Sequence, residues 1–152
     1  MLLRGRQGTE LELRIVGYEH PEEQVDPWDS NSLLVDVRLV TPAGSWHVVD
    51  PCLTTWEADH VVRWLATLAG RPDVVGGQLT EPNVTLTARA AAPTQGLDLR
   101  ACFALERRPP WLGSGDLCVD LIDLDRADLA AAATTFHGEA AQFPQRGDDP
   151  TL

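Results

Sequence analysis

The chain has 152 residues and a net charge of −11, and its only cationic side chains apart from histidine are twelve arginines with no lysine. Direct binding to nucleic acid or to an anionic membrane needs clustered cations that displace counterions, so this composition argues against both. A basic protein partner would instead be steered toward the chain, although the same acidity also serves plain solubility.

In chain order, the first patterned stretch is Glu10 to Tyr18. Leu11, Leu13 and Ile15 alternate with Glu10, Glu12 and Arg14, the period of a half-buried strand. The next segment, "EHPEEQVDPWDSNS" (Glu19 to Ser32), has two prolines and no apolar period, so it reads as a loop. "LLVDVRLV" (Leu33 to Val40) and "SWHVVD" read as two strands of a hairpin joined by the four residues "TPAG". A helix is predicted from Thr55 to Ala69, stopped by "GRPD". "VTLTARA" and "LDLRACFALE" alternate as two further strands around the loop "APTQG". "LCVDLIDL" (Leu117 to Leu124) is another strand, and a last helix runs from Arg126 to Gln142, with "QRGDDPTL" as a frayed tail. Long crossovers suited to parallel strands are mostly missing. The expectation is one α+β domain over residues 1–147, with a mainly antiparallel sheet of six or seven strands, two amphipathic helices and a tail at 148–152.

The three cysteines, Cys52, Cys102 and Cys118, are odd in number and form no CxxC pair. They read as free buried thiols of a reducing compartment. No apolar run approaches the roughly 18 residues that span a bilayer, and "MLLRGRQGTE" lacks the features of a signal peptide. The expected location is the cytoplasm.

The stretch "DPCLTTWEADHVVRWL" gathers a cysteine, a histidine and several carboxylates. Thr54 and Glu57 have the spacing of a capping box, and Ala58, Val61, Leu65 and Leu68 form a core-facing stripe. A nucleophilic Cys52 would need a histidine base, yet His60 lies about 9 Å into the helix by rise alone. His47 comes near only through a bend at Pro51. Cys52, His47 and His60 match no closed zinc pattern, and the acidic run from Asp116 to Asp128 lacks calcium-loop spacing. Asp125 reads instead as a helix cap. Glu81 and Glu106 are carboxylates available for acid–base work, but pairs arise by chance in so acidic a chain. No catalytic, cofactor or metal residues are assigned.

"EHPEEQVDPWD" is different. It holds Glu19, Glu22, Glu23, Asp26 and Asp29, no arginine, and one large aromatic, Trp28. These six residues form a candidate surface for a basic protein, because tryptophan often anchors interfaces. The alternative is a solvated loop whose Trp28 folds back on the core.

Taken together, "ELELRIVGYEHP", "GSWHVVDPCLTTWE", "LTEPNVTL", "LRACFALERRPPW", "VDLIDLDRADLAAAA" and "EAAQFPQRG" resemble the WapI-type bacterial immunity proteins, from about Leu11 to Gly147. The most specific pieces are Asp50-Pro51-Cys52-Leu53, Thr80-Glu81-Pro82-Asn83 and Pro109-Pro110-Trp111. Where that family reads D-x-N-W-L, this chain has Asp29-Ser30-Asn31-Ser32-Leu33, with Trp28 as a partial replacement. The resemblance implies a cytoplasmic, non-enzymatic protein that occludes a cognate toxin domain, often a ribonuclease. A small hydrolase or transferase using Cys52, or a scaffold or regulatory subunit, are the readings from other classes. Oligomeric state is not legible.

Overall fold

Alternating side chains and short turns settle the first half of the chain into a meander. The structure, a computed structural model, describes residues 1–71, 84–90, 96–104, 108–109, 111–112 and 114–151. Strands Leu2–Arg4 (β1), Glu10–Tyr18 (β2), Ser32–Thr41 (β3) and Gly44–Thr54 (β4) pair antiparallel in that order, with a short helix, Pro27–Asn31 (α1), between β2 and β3. Leu3, Leu11, Leu13, Ile15, Val35, Val37, Leu39 and Trp46 are buried on one face, as the period-two pattern requires. Thr41 pairs directly with Gly44, so the hairpin turns on Pro42 and Ala43 alone. The expected four-residue connection is therefore shortened by one pairing at each end.

Pro51 does not end the strand. β4 continues to Thr54, with Leu53 opposite Leu33 and Pro51 opposite Leu34, and Cys52 is the extra residue of the resulting bulge. Proline is tolerated because β4 is the last strand in the sheet order. The chain then enters the helix Thr55–Gly70 (α2) directly. Glu57 Oε2 accepts from Thr54 N at 2.8 Å, and Thr54 Oγ1 accepts from Glu57 N, completing the capping box. Ala58, Val61, Leu65 and Leu68 are buried while Asp59 and His60 face solvent. Each fully buried leucine contributes roughly 1.5–3 kcal/mol.

The second half repeats the logic with a smaller sheet. Val84–Ala90 (β5), Leu97–Phe103 (β6) and Leu117–Leu124 (β7) form an antiparallel three-stranded sheet, and Arg126–Ala140 (α3) follows. Asp125 caps that helix, accepting from Ala127 N at 2.7 Å. Its buried face is Leu129, Ala132, Ala133, Phe136 and Ala140, and it packs against α2. Glu139 of α3 also accepts from Ile15 N at 3.1 Å, beside the bulge at Val16. The expected strand extension through Leu105 and Glu106, the loop residues 92–95 and Pro72 and Asp73 of the helix stop lie outside the described residues. Among the described residues the result is α+β: seven antiparallel strands in two sheets and three helices, two of them long.

Both sheets share one hydrophobic core. Trp46 of β4 meets Phe103 of β6 edge-on, with ring centroids 5.1 Å apart. At the other contact, Arg6 N donates to Ile122 O at 2.9 Å and Arg6 pairs with Asp123 at 3.0 Å. Asp123 has φ 55°, a left-handed conformation that aspartate accepts more readily than most residues, and its N–H is held by Asp98 Oδ1 at 2.9 Å. A bulge of β7 opposite Asp98 sets that geometry.

One expectation is overturned. The three cysteines are not all reduced: Cys102 and Cys118 form a disulfide, with Cα atoms 4.1 Å apart, and Cys52 is a buried thiol outside it. An odd count excludes only complete pairing. The register of β6 on β7 puts Cys102 directly opposite Cys118, which a spacing of sixteen residues does not disclose. No helix among the described residues is long and apolar enough to cross a membrane.

Candidate functional site

The acidic segment between β2 and β3 is an ordered ledge rather than an open loop. Its middle is organised by Glu23, whose Oε1 accepts from the N–H groups of Val25, Asp26 and Gln24 at 2.6, 3.2 and 2.9 Å. Those hydrogen bonds, the one from Val25 foremost, hold the Glu23 carboxyl below the usual glutamate range. Asp26 then caps α1, accepting from Trp28 N at 2.8 Å and Asp29 N at 3.0 Å, with Pro27 at the first helical position. This short helix was absent from the sequence reading. Glu19 is half-buried and accepts from Ser32 Oγ at 2.7 Å, whereas Glu22, Asp26 and Asp29 are exposed.

Trp28 folds back against the body of the protein without being covered by it. It stands edge-on to Trp56 at 5.3 Å, which anchors the ring, and it remains 42% exposed. Trp56, the second residue of α2, is buried, so the ledge rests on the start of that helix.

Two residues that sequence reasoning missed hold the ledge in place. Asn31 is fully buried: its Oδ1 accepts from Thr55 Oγ1 and Arg146 N, both at 2.8 Å, and its Nδ2 donates to Pro27 O and Arg146 O. Arg146 lays its guanidinium over the Tyr18 ring, 3.6 Å from the centroid, and its Nη1 donates to Pro21 O at 3.0 Å and Glu23 O at 3.1 Å. Tyr18 in turn donates its hydroxyl to Pro144 O at 2.6 Å and packs edge-on against Phe143. The segment read as frayed from Gln145 is thus tied down at Arg146. The signal available was the place of Asn31 in Asp29-Ser30-Asn31-Ser32-Leu33 and of Arg146 in "EAAQFPQRG", two stretches that carry the family resemblance.

Beside the ledge, Trp56, Asp59, His60 and Arg63 of α2 face Gln145, Asp148 and Asp149 across an open cleft of about 660 Å³. His60 therefore looks onto acids of the C-terminal segment. Cys52 is 3% exposed within the core, and His47 is committed elsewhere, with Nε2 at 2.8 Å from Asp36 Oδ1 on the outer face of the larger sheet. The structure does not bring Cys52, His47 and His60 to one accessible site. The acidic run is likewise dispersed: Asp120 pairs with Arg100, Asp123 with Arg6, and Asp125 caps α3. Glu106, all of Thr80-Glu81-Pro82-Asn83 and Pro110 of Pro109-Pro110-Trp111 lie outside the described residues.

The ledge thus carries exposed carboxylates around a tryptophan that is anchored on one side and part-exposed on the other. The immunity protein WapI-like family matches residues 1–144. The chain belongs to that family. No curated protein and no solved structure matches it. For a member of an immunity family, toxin neutralisation is the activity the family name describes. The ledge residues Glu19, Glu22, Glu23, Asp26, Trp28 and Asp29 all lie inside the matched region, as does Asn31, whereas Arg146 falls two positions beyond it.

Proposed function

We propose that this WapI-like protein binds a basic toxin domain, of the nuclease kind, and blocks it by occlusion in the cytoplasm, with no turnover of its own. The ledge Glu19–Asp29 is the contact surface. The observation that carries this reading is the pairing of fixed acids with one anchored aromatic. Glu23 and Asp26 are held by backbone N–H groups, and Trp28 is braced by Trp56, so little side-chain freedom remains to be lost on binding. Net charge of −11 adds long-range attraction for a cationic surface. A nuclease needs such a surface to bind its own substrate.

The experiment is a binding titration of the full chain against the toxin domain encoded beside it, with toxin activity measured in parallel. A one-to-one complex that weakens steeply as salt rises, and loss of toxin activity at equal molar ratio, are the expected results. Absence of a complex at micromolar concentration overturns the reading. Catalytic removal of the toxin, at ratios far below one to one, overturns the occlusion mechanism.

A further inference from the structure

The outer face of the three-stranded sheet carries a chemical group that toxin binding leaves unused. We infer that the Cys102–Cys118 disulfide is a thiol-exchange site: a low-molecular-weight thiol opens it through a mixed disulfide at Cys118, and the fold stays intact.

Position argues for this first. Cys118 is exposed and Cys102 half-buried, on the face of β6 and β7 opposite the core. The neighbouring residues on the inner face, Ala101, Phe103 and Leu121, are fully buried, so the apolar packing does not involve either sulfur. A disulfide reachable by an attacking thiolate is labile in proportion to that access. Structural disulfides of small domains are instead those the packing closes over.

The second argument is redundancy. Ala101 pairs with Val119 and Phe103 with Leu117, one residue to each side of the bond, so the backbone ladder already joins the two strands. On the same face, Arg100 and Asp120 make two further bonds at 2.8 and 2.9 Å. Opening the disulfide removes a tether where two others remain.

The exchange balances simply. A thiolate attacks Cys118 Sγ, forms a mixed disulfide there, and expels the Cys102 thiolate, which takes up a proton. A second equivalent of the thiol attacks the mixed disulfide, releasing the oxidised thiol dimer and the Cys118 thiolate. Cys102 and Cys118 are reduced together, and two thiol molecules are oxidised. Cys52 takes no part, being 3% exposed in the core.

The test uses the full chain isolated without reductant, followed by intact mass, alkylation of the native protein and peptide mapping. The expected unreduced protein labels at none of its cysteines until unfolded, and then only at Cys52. Millimolar reduced glutathione in native buffer then exposes Cys102 and Cys118 to label, with an unchanged far-UV spectrum and a somewhat lower Tm. Cys102→Ser, exposed to oxidised glutathione, forms the mixed disulfide at Cys118. Cys118→Ser reacts about tenfold more slowly at the less accessible Cys102. The inference is overturned if both thiols are free in the air-oxidised protein. It also fails if the bond opens only after denaturant, or if glutathione is carried on Cys102 in preference to Cys118. None of these outcomes bears on the toxin-binding reading, which is measured separately.

Discussion

Asn31 and Arg146 lie 115 positions apart and exchange two hydrogen bonds: Arg146 N donates to Asn31 Oδ1 at 2.8 Å, and Asn31 Nδ2 donates to Arg146 O at 2.7 Å. The amide side chain thereby acts like one more backbone pairing between α1 and the chain after α3. Because Asn31 Oδ1 also takes the Thr55 hydroxyl, a single side chain joins the acidic ledge, the start of α2 and the C-terminal segment.

Replacing Asn31 should therefore cost more than one hydrogen bond. Asn31→Ala strands the buried Thr55 hydroxyl and takes the partner from both Arg146 backbone groups, which are part-buried. The expected loss is about 2–4 kcal/mol in urea unfolding, from several unmet polar groups. An effect under about 0.5 kcal/mol would show that water replaces the amide.

Arg146 should matter locally. Arg146→Ala removes the Tyr18 stack and the bonds to Pro21 and Glu23 carbonyls, so amide exchange across Glu19–Asp26 should accelerate with a stability loss of about 1–2 kcal/mol. Arg146→Lys should not restore protection, because an ammonium cannot stack flat and reach both carbonyls as the guanidinium does.

Trp28 separates stability from binding. Being 42% exposed, it should cost about 1 kcal/mol or less of fold stability when changed to alanine. Affinity for the toxin domain should fall about 30-fold, the loss typical of an aromatic hot spot. Equal affinity of Trp28→Ala and wild type, by calorimetry, would remove Trp28 from the interface.

Gly5 sits where the turn after β1 meets β7. A Cβ there would lie 2.8 Å from Ile122 N and 3.0 Å from Leu121 Cα, both backbone atoms that cannot step aside. Gly5→Ala should destabilise by about 1–3 kcal/mol and weaken the Arg6–Ile122 pairing, seen as faster exchange at the Arg6 amide.

Acid should weaken the smaller sheet. The hydrogen bonds from Arg100 hold the Asp120 carboxyl below the usual aspartate range, outweighing the opposing effect of burial. A depressed folded-state value means this stabilisation is complete above the unfolded carboxylate range and is lost as pH falls through the folded value. Tm of the wild type should thus drop more steeply below about pH 4 than that of Asp120→Asn, which has no proton to gain there. Parallel acid limbs for the two proteins would contradict the pairing.

Much of this architecture was legible because it depends on local pattern. Alternation located β2 and β5, and turn-bounded apolar runs located β3 and β7, all within one or two residues, and the Thr54–Glu57 spacing and Asp125 marked both long helix starts. Each such signal is written within a few neighbouring residues. The acids and Trp28 of the ledge were legible for the same reason, as a run with no arginine.

What tertiary structure alone decided was everything that depends on residues distant in sequence. β1 is three residues long and acquires its strand identity only by pairing with β2. Pro51 ends a strand by propensity, yet an edge position and a bulge let β4 run on to α2. The division of seven strands into two sheets, the disulfide across β6 and β7, and the clasp of Asn31 on Arg146 follow from register and packing. The sequence by itself determined an acidic α+β chain with a charged, aromatic-bearing loop. Only the folded arrangement made that loop a fixed ledge, because its order comes from groups up to 126 positions away.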